Sequence, residues 1–165
     1  MRVHIRWMKR ADLPAVLGIE AASFPQPWTE DNFLAALRER SIIGMVAEAG
    51  DRVVGYLVYQ LHKDRLDVLN LAVDPDCRLQ GVGKQLVAKL FDKLTSHSRT
   101  SIICDVSELN LDAQLFLSSK GCGFTAVGCL RDHFTAAADG ESKDGIRFRY
   151  RIGDGEVKPL LKNRF

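Results

Sequence analysis

The chain reads as one α/β domain with a mixed central sheet of about seven strands flanked by about four helices. Three observations predict it. Segments of two-residue apolar alternation exchange with segments of helical periodicity in the order β-α-α-β-β-β-α-β-α-β-β. The length, 165 residues, suits a single domain whose core needs no metal or disulfide. Finally, Leu66 to Leu86, LDVLNLAVDPDCRLQGVGKQL, runs from an apolar strand through a glycine-containing turn into an amphipathic helix.

Val3-His4-Ile5-Arg6-Trp7 alternates and reads as the first strand. Ala11 to Ala22 follows as a helix, with Leu13, Val16, Leu17 and Ile19 on one face. Pro25 and Pro27 forbid its continuation through Phe24 to Trp28. Thr29 caps a second helix whose first turn carries Glu30 and Asp31, the charge that the helix dipole prefers there. Ile42 to Ala49 and Arg52 to Leu61 are strands joined as a hairpin at Ala49-Gly50-Asp51. The next strand breaks at Asp74-Pro75-Asp76, and Val82, Leu86, Val87, Leu90, Phe91 and Leu94 then make the buried stripe of a third helix. Thr100 to Val106 is a strand, Leu109 to Ser119 a helix, and Phe124 to Leu130 and Ile146 to Ile152 the closing strands. The Gly-, Ala- and Asp-rich loop Thr135 to Gly145 between those two is expected to be mobile. No internal repeat or linker divides the chain, so residues 1–153 are expected to form the domain and 154–165 a basic tail.

A net charge of +2 argues for neither nucleic acid nor a membrane surface. The opening MRVHIRWMKRADLP lacks a signal-length apolar core, and no apolar run approaches the ~18 residues of a membrane span. Cys77, Cys104, Cys122 and Cys129 show no CxxC or Cys/His ligand spacing. A reduced cytoplasmic protein without a metal is expected, as a monomer or a homodimer.

The turn at 78–84 points to a phosphate ligand. A helix that starts after a strand presents unpaired backbone N–H groups and the positive end of its dipole. Glycines there let a bulky anion approach the backbone. A Walker loop is excluded because Gly83-Lys84 is followed by Gln85, and a dinucleotide fingerprint because Leu86 stands where its third glycine belongs. What remains is Arg78-x-x-Gly81-x-Gly83 after Asn70-Leu71-Ala72-Val73-Asp74-Pro75.

That combination resembles the acetyl-CoA signature of the GNAT N-acetyltransferases, and the order of elements resembles theirs over nearly the entire chain. Within that superfamily the resemblance sharpens toward the RimI type, which acetylates the N-terminal alanine of a small-subunit ribosomal protein. Phe24-Pro25 to Trp28, Asn70 to Asp76, Arg78 to Lys84 and Val106-Ser107-Glu108-Leu109-Asn110 carry it. The resemblance implies acetyl-CoA as cosubstrate. The backbone of Leu71, Ala72 and Val73 would pair with the pantetheine arm, and Leu79, Gln80, Gly81, Val82, Gly83 and Lys84, with Arg78 beside them, would hold the pyrophosphate. Asn110 would bond the pantetheine from the start of its helix, although an Asn there is also an ordinary helix cap. Phe24, Trp28, His133 and Phe134 would wall the slot for the acceptor.

Acetyl transfer to an amine needs a proton acceptor, a donor for the developing oxyanion and a proton for the thiolate. The family's carboxylate base falls on Asp105, a lone charge inside TSIICDV on the face shared with Ile103 and Ser107. Burial of an unpaired carboxylate would make it more basic, while a strand-end Asp paired with an Arg is the structural alternative. Being a methylene shorter than the family's glutamate, Asp105 is expected to act through a water. The Val73 N–H would polarise the thioester carbonyl. Leu117 occupies the place of the family's acidic tyrosine, and the stretch from Asn110 to Phe124 is two residues longer than usual, which makes Ser118 and Ser119 hydroxyl candidates. Arg147, Arg149 and Arg151 alternate along the last strand and suggest a basic edge.

Three functions fit. The first is acetyl transfer to a protein N-terminus, with a ribosomal protein as the implied acceptor. The others are acetyl transfer to a small amine and an acyl-CoA-binding module without turnover. Nucleic-acid binding has no aromatic-basic interleaving behind it.

Overall fold

The computed structural model describes residues 1–96, 98–134 and 141–153. The basic tail at 154–165 and much of the expected loop at 135–145 lie outside the described residues. Seven strands of one sheet and four α-helices follow in the predicted order, a mixed α/β architecture. Two compact units comprise Met1–His62 with Asp67–Leu86, and Lys63–Leu66 with the chain from Val87 onward.

In the first unit, β1 (His4–Trp7), β2 (Ile42–Ala49), β3 (Arg52–Leu61) and β4 (Arg65–Val73) stand side by side in that order. The β1-β2 and β2-β3 pairs are antiparallel, and a bulge at Ala47/Glu48 shifts the hairpin register. A 3-10 turn, Arg10–Asp12, leads into α1 (Leu13–Ser23), and Thr29 caps α2 (Glu30–Arg38) by accepting from Asn32 N at 3.2 Å. Leu13, Val16 and Ile19 of α1 and Phe33 of α2 bury against Val46, Tyr56, Val58 and Ala72. Tyr56 and Val58 face the same side because strand side chains alternate. Beside this core, the Arg6 guanidinium forks onto Asp12 at 2.8 and 2.9 Å and reaches Glu48 at 2.6 Å. These bonds hold both carboxyls below their ordinary pKa.

α3 (Val82–Ser96) buries Val82, Leu86, Val87, Leu90 and Leu94, most of the predicted stripe. Phe91 instead lies half-buried, its ring 4.4 Å from that of Tyr150. No helix among the described residues is long and apolar enough to cross a membrane.

In the second unit, β5 (Ser101–Ser107), β6 (Thr125–Leu130) and β7 (Gly145–Arg151) run in the order β5-β7-β6, with β7 antiparallel to both neighbours. Ile102, Cys104 and Val106 are buried while Ile103, Asp105 and Ser107 lie half-exposed, so the predicted alternation of β5 holds. α4 (Leu111–Ser118) starts two residues later than the sequence predicts, because Asn110 caps it by accepting from Ala113 N at 3.1 Å.

Candidate active site

The turn from β4 to α3 has the geometry of an anion cradle. Asp74 ends the strand by donating its N–H to Val54 O at 2.9 Å and accepting from Asp76 N at 3.0 Å. Beyond the 3-10 turn Pro75–Cys77, Leu79 takes φ 59° with its side chain fully in solvent, and Gly81 takes φ 83°. Only glycine holds that conformation without strain. A Cβ built on Gly81 meets no atom within 4 Å, so the space above the turn is open. The first helical bond, from Gln85 N to Gly81 O at 3.2 Å, leaves the N–H groups of Val82, Gly83 and Lys84 without intrahelical partners. Open space, three such donors and the exposed Lys84 fit a pyrophosphate.

Arg78 is engaged within the chain. Its Nε donates to Val73 O at 3.1 Å and its Nη2 to Ser23 Oγ at 2.9 Å, so the guanidinium struts the end of β4 against the end of α1. Of the cofactor residues expected from the sequence, Leu71, Ala72 and Val73 lie on β4, Gln80 in the turn and Asn110 at the cap of α4.

A buried polar cluster lies behind Phe24 and Trp28. Glu20 is 1 % exposed, and its carboxylate accepts from Trp28 N at 2.7 Å, from the Tyr56 hydroxyl and from Asn70 Nδ2 at 3.1 and 3.2 Å. Burial, with the bond to Glu20, pushes the Tyr56 phenol pKa strongly upward, so it stays protonated as a donor. Trp28 also packs edge-on to Phe33 with ring centroids 5.2 Å apart, and Phe24 and Trp28 both rest on the core. Sequence reading missed Glu20. Its signal was a single carboxylate in the otherwise uncharged helix LPAVLGIEAAS, with Asn70 as a polar residue in an apolar strand.

Asp105 is not the lone charge that the sequence suggested. It stands opposite Arg147 in the β5-β7 register and takes a two-pronged ion pair from it at 2.8 and 2.9 Å. His133 Nε2 lies 3.3 Å from Asp105 Oδ2, and the Asp105 side chain keeps 19 % exposure. The structural alternative, an Asp paired with an Arg, therefore describes its setting. Alternation put Asp105 on the correct face, but the partner came from a strand 42 residues away. The His133 ring meets Phe134 edge-on at 4.9 Å. Phe134 in turn requires Gly145, where a Cβ would lie 2.5 Å from its ring.

Leu117, which the resemblance sets against the family's tyrosine, is 3 % exposed. Ser118 is exposed, whereas Ser119 Oγ is buried with no hydrogen-bond partner among the described residues.

The chain is 28% identical over 130 residues to the ribosomal protein bS18-alanine N-acetyltransferase of Salmonella typhimurium, covering 79% of this chain and 86% of that protein. The crystal structure of the ribosomal-protein-S18-alanine N-acetyltransferase from Escherichia coli superposes with a TM-score of 0.79 over 99% of both chains, at 24% identity. Arabidopsis thaliana Naa50, solved with the bisubstrate analogue CoA-Ac-MVNAL, superposes at 0.74 over 91% of this chain and 99% of its own, at 18% identity. A family-wide comparison matches residues 13–124, from α1 through the glycine turn to Phe124. The chain thus belongs to the acetyltransferase (GNAT) family, acyltransferases that use acetyl-CoA.

Proposed function

We propose that the protein acetylates the N-terminal α-amine of a protein, with the N-terminal alanine of ribosomal protein S18 as the leading acceptor. The observation that carries the cofactor half is the open turn at Gly81, with its unpartnered N–H groups at the start of α3. The acceptor half is supported by the bS18-alanine N-acetyltransferases to which most of the chain is similar. Acetyl-CoA supplies the activated acetyl group as a thioester, whose C–S bond breaks as the amide forms, and the released thiolate takes its proton from solvent.

In this reading the main chain of Leu71, Ala72 and Val73 lies along the pantetheine, and Leu79 to Lys84 hold the pyrophosphate. The amide of Asn110 contributes its remaining donor, since its oxygen already caps α4. The Val73 N–H stabilises charge on the reacting carbonyl oxygen. Arg78 keeps Val73 in place through its bond to the Val73 carbonyl. Phe24, Trp28, His133 and Phe134 form walls for the first acceptor residue. Asp105 takes the amine's proton through a water, oriented by Arg147 and His133. A weak base suffices, because an α-amine has a pKa of only ~8.

One observation favours a second reading. With Leu117 buried and Asp105 engaged by Arg147, an acyl-CoA-binding module without turnover is the competitor. Transfer from acetyl-CoA to a peptide that begins with alanine, against spermidine as the small-amine control, decides among the three. Acetylation of the peptide at its α-amine is expected. Binding of acetyl-CoA with no transfer to either amine selects the module.

A further inference from the structure

We propose that Glu20 is the positioning residue of the acceptor slot, fixing the Phe24–Trp28 loop to β3 and β4 through the backbone of Trp28. This rests on the acceptor role assigned above to Phe24 and Trp28, and deepens it.

The side chains of Phe24 and Trp28 pack on the core, and Glu20 adds a polar anchor to the main chain. Pro25 and Pro27 donate no backbone hydrogen bonds, and the segment belongs to neither α1 nor α2. Glu20 receives the Trp28 N–H at 2.7 Å, one of the shorter bonds of an amide to a carboxylate. On its other side Glu20 bonds Asn70, which directly precedes the Leu71–Val73 strand, and Tyr56 on β3. Thus one carboxylate connects the proposed acceptor wall to the strand proposed to carry the pantetheine. Its burial makes the connection stiff. A carboxylate removed from water is tolerated only while its oxygens are occupied, so each of the three donors is fixed by the same requirement. Among the described residues no Lys, Arg or His forms an ion pair with Glu20, so hydrogen bonds from neutral donors carry the cluster. The strut from Arg78 to Ser23 and Val73 ties α1 to β4 a second time, at the neighbouring end of the helix.

The chemistry separates two substitutions. Glu20→Gln keeps one carbonyl oxygen for the Trp28 N–H and the Asn70 amide, while its new amide can donate to the Tyr56 oxygen. Glu20→Leu keeps the bulk and removes every acceptor. Steady-state kinetics with an alanine-initiated peptide and calorimetric binding of acetyl-CoA test the role. Glu20→Leu is expected to raise the peptide KM at least tenfold, with kcat within threefold and acetyl-CoA Kd within twofold of wild type. Glu20→Gln is expected to restore the peptide KM to within threefold. Equal rises in both variants, an unchanged KM in Glu20→Leu, or a joint loss of peptide and acetyl-CoA affinity would overturn the role. Should Glu20→Leu not fold, amide hydrogen exchange of the wild type replaces it. The Trp28 amide must exchange at least tenfold more slowly than the same amide in an unfolded peptide of the same sequence, and a Trp28 amide as fast as that overturns the anchor. No peptide transfer by wild type overturns the acceptor reading and this role together, whereas transfer with an unmoved KM in Glu20→Leu overturns this role alone.

Discussion

Two alanine substitutions at the glycine turn separate what the fold needs from what the cofactor needs. Gly81 sits at φ 83°, where a side chain costs ~1–2 kcal/mol. For a chain of this size that amounts to a Tm lower by ~2–8 °C. Gly83 lies in the first turn of α3 and has no such conformation, so Gly83→Ala gains helix propensity of up to ~1 kcal/mol and should hold or raise the Tm. Stability therefore moves in opposite directions. Affinity should not. A pyrophosphate held on the N–H groups of Val82, Gly83 and Lys84 would be crowded by a methyl group at either position, and losing one charged hydrogen bond is worth ~1.5–3 kcal/mol. A tenfold change is ~1.4 kcal/mol, so acetyl-CoA Kd should rise at least tenfold in each variant. Calorimetric titration beside thermal unfolding measures the two quantities on the same samples, and the wild-type affinity should fall with added salt. Gly83→Ala binding acetyl-CoA as tightly as wild type would refute the cradle.

Asp105→Asn should slow the chemical step by ~10²–10⁴ while leaving acetyl-CoA affinity unchanged, and the deficit should shrink as pH rises toward the amine's own pKa, as single-turnover rates across pH would show. Leu117→Tyr forces a larger polar side chain into a buried site, so thermal unfolding should report a loss of ~1–3 kcal/mol with no gain in turnover. Asp12 and Glu48 have folded pKa values below their ordinary 3.8 and 4.5, chiefly through the Arg6 bonds. Their contribution to stability is complete above those values and fades as pH falls through the depressed ones, so urea midpoints should drop below about pH 4, and less steeply in Arg6→Met.

The elements were legible because each is written in neighbouring residues. Hairpin strands Ile42–Ala49 and Arg52–Leu61 come out with the predicted bounds, since alternation and the Ala49-Gly50-Asp51 turn are local signals. Thr29 capping α2 and the alternating burial of β5 are local in the same way. The turn at 78–84 was legible for a related reason, because the run of residues from strand to helix is itself the proposed cradle. What sequence could not supply is pairing at a distance. The partner of Asp105 is fixed by the register of β5 on β7, and shifting β7 by one residue would present Ile146 or Phe148 instead of Arg147. The expectation of an unpaired carboxylate failed on that register and not on the face assignment. Glu20 shows the same limit more sharply. Its three partners stand 8, 36 and 50 residues away on a loop and two strands. Helical periodicity marks it only as a charge on the wrong face. A carboxylate on the core side of an amphipathic helix has few stable solutions, since it must find donors or a cation. Such a residue names the position of a polar cluster before the partners are known, and in this chain the cluster falls at the root of the proposed acceptor slot.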